Sequence, residues 1–252
     1  MSLPFENRFF FRPTRQMLDT PADHGIAYED VWARTDDGLR IHGWFMKPAG
    51  EPRSFMLFSH GMMGNMSGEP VSARPLVARG HAVLNYDYRG YGRSEGQPTE
   101  QGTYLDGEAM LAQLLARSGG PGRVFLYGRS LGGGISHELA LRHPELAGLI
   151  TDCSFTSLPA MVRHYSWVPA IWRLTRTRYD NLSKASRIRL PRLVLHGECD
   201  EVVPLWMAEA LRDATDPPAE FLWVRGGGHN DTTDRQEYQD AIARFVDQHS
   251  RS

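Results

Sequence analysis

Residues 123–143 read RVFLYGRSLGGGISHELALRH, and this stretch narrows the fold more than any other. A β-rich run, 124–127, reaches Gly128-Arg129-Ser130-Leu131-Gly132. A helical pattern follows, with Leu131, Ile135 and Leu139 on one face, until Pro144 stops it. The order is strand, tight turn, helix.

The turn matches GxSxG. Ser130 would occupy a strained backbone position, while Gly128 and Gly132 remove side chains that would collide with the neighbouring strand or helix as the chain reverses. The serine hydroxyl would then point outward at a helix N-terminus, where backbone N–H groups and the helix dipole favour developing negative charge. In a chain with 25 glycines the same letters can also be a plain turn. What favours a nucleophile is the strand before it, the helix after it and the order of the groups that follow.

The rest of the chain repeats the alternation. Runs at 28–34 and 39–47 flank Asp36-Asp37-Gly38, a turn signal that makes them a hairpin. Strands are expected at 54–59, 82–86, 146–153, 192–196 and 221–225. Helices are expected after the 60–65 loop to about residue 79, then at 101–117, 205–214 and 232–248, the last with Tyr238, Ile242, Phe245 and Val246 in a 3.6-residue stripe. Strands alternating with helices predict an α/β fold: a mainly parallel, doubly wound eight-stranded sheet with an antiparallel start. Ligands of such sheets sit at the carboxyl ends of the strands. Residues 155–189 break the pattern. They are long, irregular and rich in Met161, Tyr165, Trp167, Val168 and Trp172, with Pro159 and Pro169 interrupting them, which predicts a small cap within a single domain.

Two further chemical groups follow in strand order. His196-Gly197-Glu198-Cys199-Asp200-Glu201 places acids just past one strand, and Gly226-Gly227-Gly228-His229-Asn230-Asp231 places His229 just past the last. A serine hydroxyl is a poor nucleophile near neutral pH. A histidine must accept its proton, and a carboxylate behind the histidine fixes its tautomer and stabilises the imidazolium. Asp200 has rivals in Glu198, Glu201 and Asp231. His60-Gly61-Met62 follows another strand, and a sharp turn there can aim the Met62 N–H at the same point as the Leu131 N–H, making an oxyanion hole. His60 itself reads as structural. No HExxH, paired CxxC or acidic cluster is present, so neither a metal nor a cofactor is expected.

Composition excludes other classes. With 28 Lys+Arg against 30 Asp+Glu the net charge is −2, and nothing points to nucleic acid. Two cysteines, Cys153 and Cys199, are too few for a disulfide framework, which suits a reducing, cytoplasmic setting. The opening residues hold no uninterrupted apolar run of signal-peptide length. Phe9, Phe10 and Phe11 beside Arg8 and Arg12 allow peripheral membrane contact, against the alternative of packing on the domain. The oligomeric state is not legible.

With these residues placed, the chain resembles the alpha/beta-hydrolase superfamily, and within it the alpha/beta-hydrolase-domain serine hydrolases, a group that includes membrane-associated protein depalmitoylases and bacterial relatives. The likeness covers about 10–246. It rests on FFFRPTR near the start, DGLRIHGWF (37–45), FSHGMMGN (58–65), NYDYRGYGRSEGQPTEQGTYLD (85–106), YGRSLGG (127–133), DCSFTS (152–157), RYDN (178–181), LHGECDEVVP (195–204) and GGGHND (226–231). The resemblance implies Ser130, Asp200 and His229 as a triad, Asp200 standing in an HGxxD pattern. It also implies the N–H groups of Met62 and Leu131 as oxyanion hole, with Asp87 and Arg89 as scaffold positions. Relatives often have HGNxGN where this chain has HGMMGN, so the pocket becomes more apolar. Membrane-associated relatives often carry an N-terminal anchor or cysteine cluster that this chain does not show.

The expected activity is hydrolysis of carboxylic esters or thioesters through an acyl-enzyme on Ser130. A serine aminopeptidase-like amidase and a non-catalytic scaffold are the alternatives. Met63, Trp167 and Trp172 are candidate acyl-pocket residues, with core filling as the competing role. The cap holds Arg163, Arg173, Arg176, Arg178, Lys184, Arg187 and Arg189 against Asp180, which would suit an anionic substrate group, an acidic lipid surface or a solvated face.

Overall fold

The computed structural model describes residues 4–68, 70–168, 170–214 and 218–251, so Pro169 lies outside the described residues. The chain opens with α1 (Pro4–Phe10) and a two-residue strand, β1 (Arg12–Pro13). The expected hairpin forms from β2 (Tyr28–Arg34) and β3 (Arg40–Met46), antiparallel with Arg34 opposite Arg40. Then come β4 (Ser54–Ser59), the short β5 (Met63–Gly64) and α2 (Pro70–Ala78). β6 (His81–Tyr86) precedes α3 (Glu100–Ser118), and β7 (Val124–Arg129) precedes α4 (Leu131–Arg142). After β8 (Gly148–Asp152), residues 155–189 hold α5 (Leu158–Tyr165), a 3₁₀ turn and α6 (Asn181–Ala185). β9 (Arg192–Gly197), α7 (Leu205–Asp213), β10 (Glu220–Val224) and α8 (Gln236–His249) complete the order.

Among the described residues, eight strands form one sheet in the order β10-β9-β8-β7-β4-β6-β3-β2. The pairs β2–β3 and β3–β6 are antiparallel and the remaining five parallel, as the alternation of elements predicts. Strands β4, β6, β7 and β8 are buried at every residue, because helices cover both faces of a doubly wound sheet. One face packs Leu57, Leu84 and Leu126 against Met110, Leu114, Ile135 and Leu139 of α3 and α4. The other packs Met56, Phe58 and Phe125 against Ile242, Phe245 and Val246 of α8, the predicted stripe. Each such side chain contributes roughly 1.5–3 kcal/mol of burial free energy. The parallel strands therefore deliver their carboxyl ends, and the loops after them, to one edge.

Two features lie beyond the sequence expectation. β1 pairs in parallel with β5, Arg12 opposite Met63, so the N-terminal strap lies along the 60–65 loop. α8 begins at Gln236 rather than 232, because the Arg235 guanidinium donates to the carbonyls of Arg225 and Gly226 and holds the preceding residues as a turn.

The loop after β6 is locked by buried charge. Arg89 pairs with Asp106 at 2.9 Å and with Asp37 at 2.7 Å, tying that loop to α3 and to the first hairpin. The Ser94 hydroxyl accepts the His42 N–H at 2.9 Å and donates to the Asp87 carbonyl at 2.7 Å. These contacts suit the scaffold role expected of Asp87 and Arg89.

Two buried histidines set an acid limit. Burial pushes His81 and His137 down to about 4 from 6.5, while His81 Nδ1 lies 2.9 Å from the Ser54 hydroxyl and His137 Nδ1 lies 2.7 Å from the Gly133 carbonyl. The unfolded chain takes up protons below about pH 6.5 that the folded one refuses until about pH 4. Stability therefore falls as pH drops through that window. The urea midpoint should fall between pH 7.5 and 5, and His137→Gln should flatten the dependence; an equal slope in the variant would contradict the assignment.

Candidate active site

Ser130 sits between the end of β7 and the start of α4 at φ 51°, ψ −116°, a conformation that a non-glycine residue holds only when its surroundings force it. The forcing contacts are specific. A side chain on Gly132 would bring its Cβ to 1.9 Å from the Ser59 carbonyl oxygen, and one on Gly128 would come within 2.5 Å of the Gly132 carbonyl oxygen. The chain can reverse this tightly only with glycine on both sides of the serine. The Ser130 N–H donates to the Asp152 carbonyl at 2.8 Å, which anchors the elbow to β8.

Asp200 and His229 meet directly, Nδ1 to Oδ2 at 2.8 Å. The other oxygen of Asp200 accepts the N–H groups of Val202 at 2.8 Å and Val203 at 2.7 Å. Burial pushes the Asp200 carboxyl up, but the bonds from His229 and these N–H groups outweigh it and hold the group below the usual carboxylate range. Asp200 is therefore an ionised acceptor for the ring, and Nδ1 carries the proton. The rival acids are engaged elsewhere: Glu201 accepts the His229 N–H at 3.3 Å, and Asp231 accepts the Gly228 N–H at 2.6 Å. Glu198 is exposed. Ser130 shares the carboxyl edge with this pair, but no hydrogen bond joins its hydroxyl to His229 among the described residues. Such bonds often tighten only when substrate arrives.

The 60–65 loop faces the elbow, with a Cβ at Gly61 falling 3.9 Å from Ser130 Cβ. Leu131 is buried as the first residue of α4, directly after the serine. The Met62 carbonyl accepts the Tyr91 hydroxyl at 2.8 Å and the Arg12 N–H at 3.1 Å, which fixes the loop carrying the Met62 N–H. His60 is buried, stacks on Tyr88 at 4.3 Å and lies 3.4 Å from Asp87, consistent with its structural reading.

The candidate pocket residues take different positions. Met63 is 65% and Trp167 91% exposed, whereas Trp172 is partly buried beneath Arg173 and lines a pocket of about 210 Å³ with Ala160, Arg163 and Arg178. A groove of about 1110 Å³ between the strap and the start of α3 is lined by Arg8, Phe11, Arg15, Pro98 and Arg176; Ser130 and His229 do not line it. Cys153, buried at φ 47°, offers its sulfur within 4.8 Å of ligand atoms of Asp200 and His229. Burial, with the charges of Asp152 and Asp200, pushes this thiol well above its ordinary range, so it stays protonated. No helix among the described residues is long and apolar enough to cross a membrane.

Sequence reasoning passed over Arg129, Asp152, Tyr91 and the strap. Arg129 fills the unspecified position of GxSxG, and a two-residue strand has no period to detect.

Comparison with known proteins bears on the family and the fold. Residues 50–182 match the family model described as serine aminopeptidase, S33. An uncharacterized protein of Mycobacterium tuberculosis is 33% identical over 246 residues, covering 96% of this chain and 87% of the relative. Alpha/beta hydrolase domain-containing protein 17B of Homo sapiens is 34% identical over 231 residues, covering 88% and 76%. Among solved structures, an esterase of Pyrococcus furiosus superposes with a TM-score of 0.78 at 20% identity, over 95% of this chain and all of that one.

Proposed function

This chain belongs to the alpha/beta-hydrolase superfamily, and from that premise we propose that it is a serine hydrolase cleaving carboxylic esters or thioesters through an acyl-enzyme on Ser130. The observation that carries the reading is the strained Ser130 elbow on the same strand edge as the bonded Asp200–His229 pair. In the proposed cycle His229 Nε2 takes the Ser130 proton as the hydroxyl attacks the acyl carbon. The Met62 and Leu131 N–H groups receive the oxyanion. The imidazolium then protonates the leaving alcohol or thiol, and water, activated by the same ring, releases the acid. Asp200 accepts the hydrogen bond from the Nδ1–H throughout and stabilises the charged ring.

Turnover of a series of nitrophenyl esters from acetate to palmitate, an acyl thioester and aminoacyl amides tests the reading. Esters and thioesters should be hydrolysed with kcat/KM well above that of the amides. The matching family model supports the second reading, a serine aminopeptidase-like amidase, and faster turnover of aminoacyl amides would favour it.

The cap supplies the expectation on substrate charge. Arg173 lies over Trp172 at 5.4 Å, Arg178 lines the small pocket with it, and Arg176 lines the larger groove beside Arg8 and Arg15. Replacing Arg173, Arg176 and Arg178 together by glutamine should raise KM for an acyl donor bearing a carboxylate by about tenfold, about 1.4 kcal/mol of lost binding, while KM for a neutral ester stays within twofold. Equal effects on both substrates would remove any substrate-binding role from these arginines.

A further inference from the structure

Arg129, the residue immediately before Ser130, is buried, with its side chain 10% exposed, and it sits opposite Asp152 in the β7–β8 register. Its Nε lies 3.3 Å from an Asp152 carboxylate oxygen, and the Asp152 side chain is fully buried. From there the guanidinium reaches across to the last loop: Nη2 donates to the His229 carbonyl at 2.9 Å and to Asn230 Oδ1 at 3.1 Å. One side chain therefore links the strand that ends in the nucleophile to the loop that carries the base, a hundred residues away in sequence.

Stability alone is a poor reason for such a group. A buried ion pair gives back in desolvation much of what it gains in attraction, and well-packed apolar residues of similar volume often serve the fold as well. The distances here point to a different use. The His229 loop has no ladder of its own; it follows Gly226-Gly227-Gly228, of which Gly226 is at φ 64°. Its backbone is held from the β9 side by Glu201 on the His229 N–H, and its ring by Asp200. Both holds come from the loop after β9, and neither refers to the position of Ser130. Arg129 supplies the missing reference. It bonds the His229 carbonyl from the residue adjacent to the serine, while the Ser130 N–H is pinned to the backbone of the same Asp152.

We propose that Arg129, braced by Asp152, is a positioning residue that sets the distance between the His229 ring and Ser130. The inference rests on the serine-hydrolase reading for its effect on rate and stands independently of it for its effect on the loop. Misplacing a base by about 1 Å can cost about 100-fold in rate with little change in substrate binding.

The test uses the full chain in three forms: wild type, Arg129→Lys and the double variant Arg129→Met/Asp152→Leu. The double variant removes both charges together, so it leaves no unpaired ion to unfold the protein. It should lower kcat on a nitrophenyl ester by about 30- to 100-fold with KM within twofold. Arg129→Lys, which keeps the charge but puts its donors on one nitrogen in place of the guanidinium fork, should recover part of the loss. Hydrogen exchange of the peptide containing residues 226–231 should accelerate in the double variant while that of β7 and β8 stays unchanged. If kcat and exchange both stay at wild-type values, the positioning role is overturned. If the wild type itself hydrolyses nothing but exchange accelerates as stated, the hydrolase reading fails and the strut between Arg129 and His229 stands.

Discussion

Ser130→Ala should lower kcat/KM on the best nitrophenyl ester by about 10⁴- to 10⁶-fold while leaving the urea midpoint within experimental error of wild type or slightly above it. The reasoning combines chemistry and strain. On the proposed mechanism no acyl-enzyme forms without the hydroxyl, and the residual rate comes only from what the proposed oxyanion donors and substrate binding can do for an attacking water. The fold does not need the hydroxyl, since the elbow is anchored through the Ser130 N–H to the Asp152 carbonyl and through the glycines around it. Adding His229→Ala to Ser130→Ala should cost almost nothing more, because the two groups act as a unit. Independent, multiplying losses would mean that His229 serves another step.

Gly132→Ala should be among the most disruptive single added methyls at the described glycines. Its Cβ would fall 1.9 Å from the Ser59 oxygen, 2.5 Å from the Ser59 carbonyl carbon and 2.7 Å from the His60 oxygen, all backbone atoms that cannot rotate away. Either α4 retreats from β4 or the loop carrying Met62 shifts, and each disturbs the space between Met62 and Leu131 where the proposed mechanism holds the oxyanion. Overpacking of this kind costs about 1–3 kcal/mol, and activity should fall by about 100-fold or more. Gly50→Ala is the control: nothing lies within 4 Å of that Cβ, and both stability and rate should be unchanged. A Gly132→Ala protein with wild-type rate would show that the elbow and the 60–65 loop are not packed as described.

Much of the architecture could be read from the sequence because its signals are local. β4 and β7 are short apolar runs bounded by turn residues, α8 carries a clear 3.6-residue stripe, and the Asp36-Asp37-Gly38 turn announces the hairpin. The elbow was legible because its glycines and serine are contiguous. The rest depends on contacts between distant segments. β1 and β5 have two residues each and exist only because the strap pairs with the loop after β4. Asp200 shares its neighbourhood with three other acids, and what separates them is which backbone N–H or ring nitrogen each one faces, a matter of ångströms rather than spacing. Arg129 was in plain view inside GRSLG, yet its partners are 23 and 100 residues away.

The central claim is that Ser130 is an activated nucleophile, and covalent labelling reads it without requiring the right substrate. Purified wild type, Ser130→Ala and His229→Gln would be treated with a fluorophosphonate and followed by intact mass and by peptide mapping. The account predicts one adduct on wild type, located on Ser130, no adduct on Ser130→Ala and labelling slowed at least about 100-fold on His229→Gln. A folded wild-type protein that acquires no adduct, or acquires it on another residue, would contradict the account.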